Sequence, residues 1–205
     1  KLMTGTIKNC YNYGTVKARG QAGGIVGLGN KPVVDCVNYG DVNGTWALAG
    51  IVGYTKNDAS ITIINCVNNG NITGSSTAIG GIFGLLDGNT SAKGTAKITG
   101  CTNNGNVKGS WGVGGIAADT IGLISECVNN GEITASGEVG GIVGKAYERV
   151  TGCTNNGRVA AIQDMAGGIV GHLHVTTYID EINTTNENYG VVEGQNSGSI
   201  IGKAN

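Results

Sequence analysis

A pair of short motifs recurs from one end of the chain to the other and constrains its fold more than any other feature. The first, Cys-x-Asn-x-Gly, begins at Cys10, Cys36, Cys66, Cys101, Cys127 and Cys153, with a seventh copy that carries Asn186 in the cysteine position. The second, a variant of Gly-Gly-Ile-Val-Gly, begins at Gly23, Ala49, Gly80, Gly114, Gly140, Gly167 and Gly198. Successive cysteines are 26, 30, 35, 26 and 26 residues apart, so the base period is 26. Self-similarity at a fixed period of this size marks a repeat architecture. The step from the first motif to the second hardly varies, whereas the return to the next first motif runs from nine residues (Gly27 to Cys36) to seventeen (Gly84 to Cys101). Insertions therefore enter at one corner of the repeat, where a solenoid places its variable loops.

The columns of the repeat identify its elements. Three residues before the cysteine stand Ile7, Val33, Ile63, Ile98, Ile124 and Val150. Two after it stand Asn12, Asn38, Asn68, Asn103, Asn129, Asn155 and Asn188, and four after it stands glycine in every copy. Six after it come Val16, Val42, Ile72, Val107, Ile133, Val159 and Val192. Short β-branched runs punctuated by Asn-Gly and Gly-Gly read as strands joined by tight turns. No window shows a sustained apolar period of 3.6. The expectation is an all-β, right-handed parallel β-helix of about seven coils with three short strands each, the hand following the parallel crossover rule. Propeller blades need longer repeats, and leucine-rich repeats need a leucine scaffold that is absent.

The inward columns carry structural predictions. Cys10, Cys36, Cys66, Cys101, Cys127 and Cys153 share one register, so they should form a buried ladder of free thiols. Their spacings lack the paired Cys-x-x-Cys of a zinc site. The seven asparagines should stack and satisfy one another inside the first corner. The glycine that follows suits a backbone with positive φ. Strict alternation would put the cysteine and the apolar residue three before it on opposite faces. Both columns look buried, so a bend or bulge is expected between them. Glu132 and Arg158 fall in one surface column of consecutive coils and should pair.

Composition narrows the function. Net charge is −1 with no basic run, which argues against a nucleic-acid or anionic-membrane surface. No apolar run is long enough for a membrane-inserted span. Residues 1–205 read as one solenoid domain. Because the repeat pattern starts and stops without a capping element, the chain is expected to be a segment of a longer one. End-to-end self-association is the alternative, since sheet edges invite pairing.

The paired motifs, Cys-x-Asn-x-Gly-x-Val/Ile followed by Gly-Gly-Ile-Val-Gly, resemble the GLUG repeat of bacterial surface proteins. That repeat is also found near the amino terminus of some secreted immunoglobulin A-cleaving metalloproteases. The resemblance covers essentially the whole chain. It implies an extracellular or cell-surface β-solenoid, a structural stalk or adhesin segment whose partner is a host or cell-surface glycan or protein. It supplies no catalytic residues, and the His-Glu-x-x-His signature of metalloproteases is absent.

The search for chemistry returns little. The acids Asp35, Asp41, Asp87, Asp119, Glu126, Glu132, Glu138 and Asp164 are scattered; stacking could bring Glu132 near Glu138 or Asp164, but nothing singles them out. His172 and His174 share a strand face close to Asp180 and Glu181, yet they read as polar residues of the last insertion rather than as metal ligands. No catalytic residue, metal ligand or cofactor is expected, and a polysaccharide-acting β-helix enzyme ranks third among the functions. Trp46 and Trp111, each ten residues after its cysteine and two coils apart, are the candidate ligand contacts, as aromatic faces that stack sugar rings. Tyr13, Tyr39 and Tyr189 share another column and read as an exposed stacking ladder.

Overall fold

The computed structural model describes residues 5–56, 60–86 and 95–204; Asp87 and residues 1–4 lie outside them. The chain is an all-β solenoid in which five parallel sheets run the length of the stack, four of seven strands and one of six. Each coil thus has five short strands rather than three. In the fifth coil they are Ile124–Ser125, Val128–Asn129, Ile133–Ala135, Gly137–Gly140 and Val143–Ala146. These strands define faces one to five, and the coils are numbered by their first motif. On faces one to three sequence columns become register columns, with Ile98 opposite Ile124, Asn103 opposite Asn129 and Val107 opposite Ile133.

Five faces arise where three were expected because the chain breaks direction at two extra points. One is the residue before the cysteine. Asn9, Asp35, Asn65 and Glu126 hold φ between 52° and 55° there, and Gly100 and Gly152 do the same near 60°. This left-handed residue is the bend between faces one and two, and it turns both the Ile/Val column and the cysteine inward. The other is the approach to the second motif, where the left-handed residues Gln21 and Ala47 stand just ahead of face four and Ala78, Gly112 and Glu138 stand within its strand.

The cysteines are free, and all but the half-buried Cys10 are sealed inside. Each thiol donates to the carbonyl two residues earlier, as in Cys66 Sγ to Ile64 O at 3.3 Å, and the thiols of Cys36, Cys101 and Cys153 accept from the cysteine N–H of the coil before, as in Cys66 N to Cys101 Sγ at 3.4 Å. Burial pushes the Cys36 thiol up to about 11. The asparagine ladder is continuous: Asn38, Asn68, Asn103 and Asn129 each donate to the next Oδ1 at 2.7–2.8 Å and to the carbonyl of their own corner glycine.

That corner glycine is not at positive φ, contrary to expectation. A Cβ on Gly40, Gly70, Gly105, Gly131, Gly157 or Gly190 would collide with the carbonyl oxygen of the equivalent glycine one coil earlier. Close approach of stacked backbones, not a left-handed conformation, fixes the residue.

One helix interrupts the pattern. In coil seven Ile179–Thr185 takes the place of the face-one strand, and this is why that sheet has six members. Ile182 fills the core position, and Asn186 in the cysteine slot accepts from Cys153 N at 2.9 Å while donating to Val150 O and Ile182 O. A helix was not expected there, because seven residues are too few for a 3.6 period to stand out.

Candidate functional site

The interior is divided in two. One cluster holds the cysteines and the Ile51, Ile82, Ile116, Ile142 and Ile169 column; the other holds Val42, Leu48, Ile72, Ile79 and their equivalents. The pinch between them is built from the asparagine ladder and the second glycine of Gly-Gly. A Cβ on Gly50, Gly81, Gly115 or Gly141 would strike the side chains of Asn68, Asn103, Asn129 and Asn155. Drawing the junction of faces four and five inward folds the outer surfaces of those faces toward each other. The last glycine of the motif lets them close: a Cβ on Gly53, Gly144 or Gly171 would meet the face-four backbone of the coil before. The glycine pattern therefore cuts a V-shaped seam along the outside of the solenoid.

What fills the seam changes along it. In coil two Trp46 meets Tyr54 edge-on, with ring centroids 6.0 Å apart. In coils five and six the filling is charged. Lys145 Nζ lies 2.7 Å from Glu138 Oε2, and His172 Nδ1 lies 3.1 Å from Glu138 Oε1. His172 packs on His174 with centroids 3.9 Å apart, and His174 stacks on Tyr147 at 4.4 Å. Between these zones the face-four positions are Ala78 and Gly112, too small to fill the seam. A cleft of about 200 Å³ is left there, lined by Thr77, Ala78, Leu85, Trp111, Gly112, Asp119 and Lys145.

Asp119 is the unusual group in this cleft. Among the described residues its carboxylate makes no hydrogen bond or ion pair, although Lys145 is its register partner. Burial, opposed by the Lys145 charge and aided by that of Glu138, pushes its carboxyl up to about 6. Glu138 goes the other way. Burial alone would raise it, but hydrogen bonds from Lys145 and His172 together with their charges leave it below the ordinary glutamate value. Burial, with the charges of Asp119 and Glu138, pushes Tyr147 up to about 12. Burial and the neighbouring His172 lower His174, while the buried Nε2 atoms of both histidines lack a partner.

The two candidate tryptophans do not form paired platforms. Trp46 leans over Gly20 of coil one and Trp111 over Gly137 of coil five, so they diverge around Thr77. Trp46 packs into the seam, whereas Trp111 stays about a third exposed at the cleft. Coil six holds one extra residue here, since Ala135 pairs with Ala161 but Val139 with Ala166. This sets Asp164, eleven residues after its cysteine rather than ten, beside Gly137. Glu132 pairs with Arg158, away from Glu138. Glu181 pairs with Arg149, so the acids of the last insertion are not the partners of the histidines. Tyr13 and Tyr39 do stack, 5.0 Å apart and within 2° of parallel, with Tyr11 6.4 Å from Tyr13. Four asparagines separate them from Tyr189 in the column, hydrogen-bonded in series from Asn69 to Asn156. Among the described residues no three His, Cys, Asp or Glu side chains come together as a metal site.

No protein-family model matches the sequence, and no curated protein or solved structure matches it. Among the described residues no helix is long and apolar enough to cross a membrane.

Sequence reasoning missed Asp119, Glu138 and Lys145 as a group. One signal was available. The register column Leu28, Tyr54, Leu85, Asp119, Lys145, His172, Lys203 turns from apolar to ionisable between coils three and four.

Proposed function

We propose that the chain is a non-enzymatic repeat module of a bacterial cell-surface or secreted protein, a β-solenoid stalk that spaces other domains and adheres to a surface glycan. The observation that carries this is the Trp111 cleft. The exposed edge of Trp111 and the carboxylate of Asp119, which has no hydrogen-bond partner among the described residues, line it together. The likeness of the motifs to the GLUG repeat supports the surface location. Six free thiols are compatible with an oxidising exterior because five of them are sealed from reagents by the core. Beads coated with the protein should adhere to immobilised polysaccharides or glycoproteins, and periodate treatment of the surface should remove the adhesion. Failure to adhere to any such surface would overturn the proposal, and release of reducing ends from the polysaccharide would replace it with an enzymatic one.

A second reading, stacking of copies end to end, draws on the last described coil. A recess of about 250 Å³ lined by Asn188, Gly190, Val192, Ser197, Gly198 and Ser199 opens there onto the end of the asparagine ladder. A further coil, from the same chain or another copy, would cover it. Sedimentation that stays monomeric at high concentration would exclude the second copy.

A further inference from the structure

We infer that the cleft beside Trp111 is a subsite for one ring of a neutral pyranose glycan, which lays its C–H face on the indole and gives hydroxyl hydrogens to Asp119. This rests on the adhesion proposal in taking a glycan as the ligand, and it adds the class of sugar and the residues that select it.

Four observations converge. The cleft, at about 200 Å³, is smaller than the roughly 300–1,000 Å³ of drug-sized pockets, so it suits a single ring. Its wall is the exposed part of Trp111, a flat apolar surface of the kind that covers the axial C–H groups of a pyranose. Its polar feature is a carboxylate with no partner. An ionised carboxylate only accepts hydrogen bonds, so the missing ligand group is a donor, and vicinal hydroxyls provide two. Beside it lies Lys145, whose ammonium carries three hydrogens and is held on one side by Glu138 at 2.7 Å. It can donate to a ring oxygen.

Charge disfavours an acidic ring. A uronic acid would bring its carboxylate against Asp119 and Glu138, with the one lysine already engaged by Glu138. An amino sugar would gain an attraction to Asp119 and meet repulsion from Lys145 beside it, whereas a neutral ring satisfies both groups by hydrogen bonds. A purely apolar occupant would remove water from Asp119 without replacing its hydrogen bonds, which is costly for a carboxylate. The position of the subsite is also explained. At coils three and four the small seam positions Ala78 and Gly112 follow one another with no ring or ion pair of the described residues filling the space beside them. At coil two Trp46 and Tyr54 occupy the seam, and at coil five Glu138 and Lys145 do.

The test uses the whole 205-residue chain. It is titrated with neutral gluco-, manno- and galacto-configured oligosaccharides, with oligouronates and with glucosamine oligomers, followed by tryptophan emission and saturation-transfer NMR. At least one neutral series should bind. Asp119→Asn and Trp111→Ala should each weaken that binding tenfold or more while circular dichroism and Tm report a folded chain, and Arg158→Ala on another face should leave it unchanged. Binding confined to the charged sugars, absence of binding by every neutral series, or affinity that survives both seam variants would overturn the inference. Adhesion of coated beads to polysaccharide that persists in both variants would also overturn this subsite while leaving the adhesion proposal standing, so the two fail separately.

Discussion

Arg158 in coil six holds Glu132 of the coil below through Nη1 at 2.5 Å, and its Nη2 reaches Glu193 of the coil above at 2.5 Å. One guanidinium thus spans three coils in a single surface column, and its hydrogen bonds, together with its charge, lower the carboxyl pKa of Glu193. The column is open to solvent, so its contribution is to register rather than to global stability. Arg158→Glu would place three like charges in line. Amide exchange at Val159 and Val192 should then speed up while coils two to four keep their protection. Unchanged exchange in coil seven would show that the core alone holds that coil.

Asn103 lies in the middle of the asparagine ladder, fully buried, accepting from Asn68 and donating to Gly105 O and Asn129 Oδ1. Removal of its amide leaves several buried groups unpaired, each costing about 1–3 kcal/mol. Asn103→Ala should lower unfolding free energy by about 3 kcal/mol or more, against about 1 kcal/mol for Asn12→Ala at the partly exposed start of the ladder. Urea midpoints of the two variants compare them directly. Equal shifts would mean that the ladder carries no cooperative load.

Two glycines test why glycine is there. Gly105 has an ordinary backbone but faces the Gly70 carbonyl, whereas Gly100 has φ 63° in a column where Asn9 and Asn65 adopt φ 54° and 52°. Gly105→Ala must push two bonded coils apart and should cost about 3 kcal/mol, the upper range for overpacking. Gly100→Asn meets only the movable end of Asn65 and should stay within about 1 kcal/mol of the parent, since Asn tolerates the left-handed region. Thermal unfolding of both variants gives the order, and the reverse order would refute the close-approach explanation.

Asp119 makes a stability prediction with a definite sign. Its folded pKa of about 6 lies above the ordinary aspartate value of 3.8, so the folded chain holds this proton more tightly than the unfolded one. The group's stabilising contribution is complete below pH 4 and is lost as pH rises toward and past 6, a loss on the order of 3 kcal/mol. Asp119→Asn removes that loss. The variant should be more stable than the parent at pH 8 and no more stable at pH 4, as chemical denaturation at the two pH values would show. A variant that is less stable at pH 8 would assign Asp119 a structural role instead.

Much of this was legible in the sequence because a solenoid converts period into contact. Residues 26 apart become register partners, so the Cys10 to Cys153 column, the Asn12 to Asn188 column and the Glu132–Arg158 pair could be read without coordinates. Burial of those columns followed from their uniform chemistry, and the bend before each cysteine followed from two apolar columns of opposite parity.

The tertiary structure decided what lies between columns. Asp119, Glu138 and Lys145 occupy two different faces, and no spacing rule links face four to face five. Their meeting depends on the angle at the Gly-Gly junction, which is set by how closely Gly50, Gly81, Gly115 and Gly141 approach the asparagine ladder on the opposite wall. The same holds for the corner glycines, whose neighbour is a carbonyl of another coil, and for Ile179–Thr185, whose helix is fixed by Ile182 entering the core rather than by its own short pattern. A repeat specifies translation along the stack. The curvature within each coil comes from side chains and backbones packing across it, and that curvature is what shapes the seam.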